Sequence, residues 1–448
     1  MHRSALLPAL LIAVASPATA QGPLSLAEAF RRADTAAFAN RIADGASRAQ
    51  AAQVTAALQG ILPSVRVEGG VARTDDPLGA FGYTLEQRLV SAASFNPSSL
   101  NSPDPVTNWR ASIVAEVPLF NADAFLGRSV ALRLTDAARA NAGWIRASTR
   151  ADVTRAYFAA ILAREEIQTL EAAVTAARAH LRQAESMVGN GLATRSDALL
   201  ASVQQGRLEA QLIGARGNAL IARERLALLL GQPGDTAFVL PDSLPAAPRV
   251  HAIAGRITTD SATTRLDVTA ARFGLEAADR DGRRASAGYL PRLNGFGRSD
   301  WNSTDRLFGG RRSYTIGVMA SWSPFTGAAQ IADREASRGR AVSARAALDA
   351  AQAGAGLELS ATTTMVAVAV AQLDIASTSL AQATEAHRIV ARKYDGGLAT
   401  IAELLSAATV ENETRLGLAT ARYQVIVAVA AARLASGDDL TDLTQLEN

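Results

Sequence analysis

The chain has 448 residues, of which 48% are hydrophobic, 19% charged and only 5% aromatic. That is length for two or three ordinary domains, and its abundant alanine suits long helices packed closely through small side chains. A formal charge of +3 with no long Lys/Arg run argues against a nucleic-acid partner, and a chain with no cysteine must be held by its core or by assembly.

Residues 1–20 read as a signal peptide. Met1-His2-Arg3 supplies positive charge, an apolar run follows, and Ala18-Thr19-Ala20 is an A-x-A site, so cleavage before Gln21 is expected. Without cysteine, no lipid-modified cysteine is expected at the mature N-terminus. No later stretch offers ~20 uninterrupted apolar residues, so no transmembrane helix is expected. "TTTMVAVAVAQLDIA" at 362–376 comes closest and reads as core.

Prolines divide the rest. None occurs between Pro118 and Pro233 or between Pro324 and Asn448, and proline breaks helix interiors, so these gaps predict long helices. Apolar residues in them recur at three- and four-residue spacing: Leu199, Val203, Leu208, Leu212 and Ala215, then Leu398, Ile401, Leu405 and Ala408. Elsewhere the period changes to two: "PSVRVEGGVAR", "NWRASIVAEVP" and "RSYTIGVMASW" alternate apolar with polar, and "RLNGFGRSDW" does so more weakly. Strands of this length match membrane-spanning β-strands of ~9–11 residues, although each alone reads equally well as half of a soluble hairpin.

The order of elements occurs twice. Residues 21–232 form a first repeat, with strands at 63–73 and 108–118, a long helix at 121–188, a tip at 189–193 and a helix at 194–230. A Pro-rich linker, 233–250, leads to a second repeat at 251–437, with strands at 291–301 and 312–322, a helix at 327–393, a tip at 394–398 and a helix at 399–435; residues 438–448 are a tail. "GLAT" begins at Gly191 and again at Gly397, 206 positions on, and Pro118 and Pro324 share that offset. This is a two-fold internal repeat. Thr194 with Asp197, and Thr400 with Glu403, have the spacing of capping boxes, so each phrase reads as the turn of a helical hairpin. Four strands cannot close a sheet in lipid, so a spanning reading demands oligomerisation.

The Leu-Pro borders, "VPLF" and the "GLATxxxxLxA" tips in this order resemble the TolC-like outer-membrane efflux proteins, from about Leu24 to Gly437. The segment 76–109 looks like the longer first surface loop of one branch of that family. The resemblance implies a mainly α fold with a small membrane β part. Long coiled-coil-like hairpins would form a twelve-helix periplasmic α-barrel, and four strands per protomer would complete a trimeric twelve-strand outer-membrane barrel. It implies a passive exit duct for small molecules in a tripartite efflux or secretion system of a Gram-negative bacterium, with lipid, a periplasmic adaptor and an inner-membrane pump as partners. Carried over residue by residue, it places Gly191-Leu192-Ala193 and Gly397-Leu398-Ala399 at the adaptor. Around the periplasmic gate it places Tyr394 and Glu403, with Ser406 where a second acid is expected and Asp197 as the first-repeat counterpart of Glu403. The competing reading of Glu403 and Asp197 is capping alone. A rival class is a secreted helical coiled-coil protein that never enters a membrane.

No enzyme is expected. There is no G-x-x-x-x-G-K-[ST] phosphate loop and no Gly-x-Ser-x-Gly elbow. His2, His180, His251 and His387 show no ligand spacing, so neither metal nor cofactor is expected, and His180 and His387 read as solvated surface.

Overall fold

A computed structural model describes residues 23–256 and 265–447, so the expected signal peptide lies outside the described residues. Helices α1 (Leu26–Ala36) and α2 (Phe38–Ala56) lead into strand β1 (Ser64–Thr74). Short helices α3 (Pro77–Glu86) and α4 (Pro97–Asn101) lie before β2 (Val106–Phe120). Then come the 68-residue α5 (Ala122–Gly189) and α6 (Arg195–Leu229). The second half runs α7 (Ala247–Ala254), α8 (Leu266–Ala287), β3 (Arg292–Ser303), β4 (Arg311–Ser321), the 67-residue α9 (Ala329–Asp395) and α10 (Ile401–Ser436). The fold is mainly helical with one small sheet, and it is duplicated. The chain divides into two compact units: residues 23–41, 145–256 and 356–447, and residues 42–144 and 265–355.

The first unit is all-helical among its described residues. Its core joins Leu26 and Phe30 of α1, Tyr157 and Phe158 of α5, Leu226 of α6, Leu373 of α9 and Val425 and Ile426 of α10. Tyr157 and Phe158 are fully buried and meet edge to face at 5.3 Å, the favoured aromatic geometry. The residues after Gly437 belong to this core: Leu440, Leu443 and Leu446 of a 3-10 segment are buried in it. Both Glu447 carboxylate oxygens accept from the Leu26 N–H, at 3.0 and 2.8 Å, and the Tyr157 hydroxyl meets the same carboxylate. The last residues thereby tie down an orphan donor at the first helix N-terminus.

Helices α6 and α10 end alike. Gly231 and Gly437, 206 apart, take positive φ (+74° and +82°), and the residue after each donates to a carbonyl five back: Gln232 to Ala227 at 2.9 Å and Asp438 to Arg433 at 2.9 Å. This is the Schellman arrangement, in which glycine avoids the left-handed penalty. At Gly231 a Cβ would lie 2.2 Å from the Ala36 carbonyl oxygen, whereas at Gly234 (φ +85°) it would meet open space. Gly231→Ala is therefore expected to cost roughly 2–5 kcal/mol, combining left-handed strain with a backbone clash, and Gly234→Ala only about 1–2. Thermal unfolding of the two variants side by side checks this; equal losses would remove the clash from the explanation.

Burial departs from the expected stripes in three places. On α6, Leu208, Leu212 and Ala215 are buried but Leu199 and Val203 are exposed. On α10 it is Ile401 and Leu404 that are fully buried, with Leu405 only half so. In 362–376, read as core, the one stripe Thr362, Val366, Ala369 and Leu373 is buried while Met365, Val368 and Ile375 are exposed. Each helix packs one face inside its own chain and leaves apolar residues on another, so spacing alone did not say which face the chain covers. Helices α9 and α10 also contain windows long and apolar enough to cross a membrane by composition. The expectation that no helix qualifies does not hold on that measure; alanine and valine lift the hydropathy of an otherwise amphipathic surface.

The second unit holds one antiparallel sheet in the order β1-β2-β3-β4. Val65 pairs Ala115, Ile113 pairs Ser299 and Gly297 pairs Ile316, so successive residues alternate faces across all four strands. A register irregularity between Pro118 and Phe120 accommodates the proline near the end of β2. Polar contacts anchor the neighbouring helices: Asp123 receives Arg284 at 3.3 Å and Arg292 at 3.2 Å, and Asp281 receives Arg340 at 2.7 Å. Burial raises the Asp281 pKa, but the hydrogen bonds from Arg284 and Arg340 outweigh it and hold it below the ordinary carboxylate range.

Candidate functional site: a two-faced sheet and a pair of helix tips

The sheet largely separates apolar from polar residues face by face, the exceptions being Val114, Phe296 and Met319 on the polar face and Arg73 and Arg312 towards one end of the apolar face. One face carries Val65, Val67 and Val71 of β1, Trp109, Ile113 and Val117 of β2, and Tyr314, Ile316 and Val318 of β4. Val67 is 61% exposed and Ile316 78%, an extreme for large apolar side chains on a monomer surface. The opposite face carries Arg66, Glu68, Arg110, Ser112, Arg298 and Asp300, with Asp300 accepting from Arg298 at 2.8 Å and Arg110 at 3.4 Å. β3 contributes Gly295, Gly297 and Ser299 to the apolar side, which explains why its alternation was faint in sequence. β1 and β4 end the sheet with no partner strand on their outer edges among the described residues.

The two tips lie in the all-helical unit and share one construction. α5 ends at Gly189; Gly191 has φ +73°, Gly191 N–H donates to Val188 at 3.0 Å, and Leu192 N–H donates to Met187 at 2.8 Å. At the second tip Gly397 has φ +72°, its N–H donates to Tyr394 at 3.0 Å, and Leu398 N–H donates to Lys393 at 2.8 Å. Thr194 and Thr400 then cap α6 and α10 in complete capping boxes, the backbone N–H of each donating to the Asp197 and Glu403 carboxylates at 2.9 and 2.7 Å. These bonds hold both carboxyls below their ordinary pKa. Both acids are therefore engaged in capping, the bland role weighed from the sequence. Leu192 and Leu398 project 73% and 82% exposed, and a Cβ at Gly191 or Gly397 would meet nothing within 4 Å.

The structure brings the tips together. Tyr394, only 5% exposed, packs with Ile401 and Leu404 against Met187, and its hydroxyl donates to the Met187 sulfur at 3.4 Å. Gln183 donates to Asp395 at 3.2 Å, and Gln204 on α6 to Thr409 on α10 at 3.0 Å. Burial first, then Asp197 and Asp395, push the Tyr394 hydroxyl above its ordinary pKa. Ser406 is exposed on α10.

Two histidines read as solvated surface are not. His387 Nδ1 lies 2.5 Å from the Glu411 carboxylate, which also accepts from Arg415 at 2.6 Å. Burial raises the Glu411 pKa, but those two hydrogen bonds prevail and keep it low. His180 is held below the ordinary histidine range by burial and then by His387. They line a cavity of about 380 Å³ with Gln204 and Leu208. The signal that sequence reading missed was the pairing of His387 with Glu411 across two helices, 24 residues apart. Among the described residues no group of three or more His, Cys, Asp or Glu could hold a metal.

A duplicated helical hairpin and a four-stranded, two-faced, open-edged sheet are the elements of the outer-membrane channel class. The chain belongs to the outer membrane efflux protein family, whose model matches residues 41–232 and 259–438, one segment in each repeat. Its fold is similar to that of the outer membrane protein VceC from Vibrio cholerae, at 20% identity and a TM-score of 0.74, covering 92% of this chain and 96% of that one. It is also similar to a membrane protein from Pseudomonas aeruginosa (19%, 0.76, covering 92% and 92%) and to the CmeC outer membrane channel of Campylobacter jejuni (15%, 0.76, covering 94% and 88%). At such identities the likeness is one of fold. No curated protein sequence matches the chain.

Proposed function

We propose that three copies of this chain form a passive exit duct through the outer membrane of a Gram-negative bacterium, serving an adaptor and pump that export small molecules. The observation that carries this is the sheet. Its exposed valines, isoleucine and tyrosine suit lipid and its charged face suits a water-filled lumen, while two open edges are intolerable in hydrocarbon. Three copies would supply twelve strands and leave no edge. The rival, a secreted coiled-coil protein, gives the apolar face nothing to meet. Native mass measurement in detergent is expected to give three protomers; a folded, lipid-binding monomer would refute the barrel sector.

The same reading makes the tips the periplasmic end, with Gly191-Leu192-Ala193 and Gly397-Leu398-Ala399 meeting the adaptor and three Glu403 carboxylates near the axis. Capping keeps each Glu403 ionised at neutral pH, so the ring would be charged despite mutual repulsion, and Ser406 adds no second acid. Glu403→Gln keeps the capping geometry, so it is expected to reduce cation preference and divalent block in planar bilayers without unfolding. Tyr394→Phe is expected to raise closed-state conductance if the hydroxyl is also a latch between copies. Unchanged selectivity and conductance in both variants would put the gate elsewhere.

A further inference from the structure

The connection between β1 and β2 does not stand away from the sheet. Asp76 caps α3 by accepting from Gly79 N–H at 2.7 Å, Pro77 occupies the first turn, and Ala80 is buried. Phe81 of α3 meets Phe95 edge to face at 5.9 Å, which folds the segment back on itself. Tyr83 then lies over Glu68, Gly70, Arg110 and Ser112, all on the polar face, and encloses with them a cavity of about 330 Å³. The segment is fastened by one side chain. Gln87 Nε2 donates to the Thr107 carbonyl at 2.9 Å, to Asn108 Oδ1 at 3.0 Å and, more weakly, to the Ser303 carbonyl at 3.4 Å. Asn108 in turn donates to Asn302 Oδ1 at 2.8 Å, and Gln87, Asn108, Asn302 and Ser303 are all buried. Beyond it Arg88, at φ +57°, reaches the Arg312 carbonyl at 3.4 Å, so the segment touches strands β2, β3 and β4 at one end. That end is the one carrying loops, since α2, α5, α8 and α9 follow or precede the other ends of the strands.

We propose that residues 75–105 form a lid folded into the pore side of the sheet at its outer mouth, and that Gln87 is the positioning residue that latches it. The inference rests on the barrel reading above, because only there is the polar face a lumen. Three such lids narrow the mouth to an extent that small solutes pass and bulky ones do not. A latch in which one amide serves two buried oxygens and the half-buried Thr107 carbonyl is strong while satisfied and costly to break piecemeal. Gln87→Glu is nearly isosteric but replaces the donors with a carboxylate facing three acceptors, so it forces the lid off.

The test uses the full chain in intact cells. The native sequence has no cysteine, so Arg66→Cys, on the polar face away from the lid, and Val67→Cys, on the apolar face, are sole thiols. A small hydrophilic maleimide should label Arg66→Cys and not Val67→Cys; equal labelling of both refutes the barrel reading itself. A bulky polymer-linked maleimide added outside should label Arg66→Cys slowly with Gln87 intact. It should do so about tenfold faster or more with Gln87→Glu, or with residues 77–103 replaced by a short Gly-Ser link. Should the shortened chain fail to assemble, the Gln87→Glu comparison stands alone. Correct small-reagent labelling together with an unchanged bulky-reagent rate overturns the lid.

Discussion

Ending the chain after Asp439 is expected to prevent recovery of a folded protein. Leu440, Leu443 and Leu446 are each at most 2% exposed, in the same core as Tyr157 and Val425. Losing a buried leucine costs about 2–5 kcal/mol, so three together, about 6–15 kcal/mol, match the whole ~5–15 kcal/mol that typically separates folded from unfolded domains. The deletion also removes Glu447, leaving Leu26 N–H and the buried Tyr157 hydroxyl without a carboxylate they share. Burial above all, and that carboxylate second, push the Tyr157 pKa far upward, so the phenol stays neutral and cannot meet the loss by ionising. Leu443→Ala alone should cost about 2–5 kcal/mol. Chemical denaturation in detergent measures both variants, and a truncated chain with the native midpoint would show that the segment is ornamental.

On the proposed duct reading, placing phenylalanine at both Gly191 and Gly397 is expected to abolish export while trimers still assemble. Each glycine has positive φ, so any side chain brings about 1–2 kcal/mol of local strain, yet a Cβ at either position meets nothing within 4 Å. The damage should therefore fall on whatever the tips touch. On that reading Leu192 and Leu398 are the anchors, and loss of about 2 kcal/mol at a central anchor would weaken docking near thirtyfold. Leu398→Cys as sole thiol should cross-link to a periplasmic adaptor, and the glycine variants should lose that product together with export. Export that survives both substitutions would move docking away from the tips.

How much of this was legible in the sequence depended on the reach of the chemistry involved. Thr194 with Asp197, and Thr400 with Glu403, form their bonds within three residues, so spacing alone announced the capping boxes. The two-residue alternation of β1, β2 and β4 is equally local, and the 206-residue offset needed only the letters. Gln87 was silent because its acceptors, Asn108 and Ser303, lie 21 and 216 residues away. His387 looked like surface until a second helix supplied Glu411. Leu404 rather than Leu405 is the fully buried leucine of its tip because Tyr394 and Met187 of other helices decide the angle of contact.

The strand order has a consequence for how such a chain comes into being. β1 and β2 belong to the first repeat, β3 and β4 to the second, and beside the middle ladder the Asn108 side chain bonds that of Asn302 across 194 residues of sequence. As the chain appears in order the first hairpin can form early, but its β2 edge must wait while α5, α6, α7 and α8 emerge. Closing so long a loop is slow, although its entropy grows only logarithmically with length. Throughout that delay an exposed strand with apolar Trp109, Ile113 and Val117 is available to the wrong partner. Any need for an escort set by this topology falls on the interval between the two halves of one sheet rather than on the finished chain.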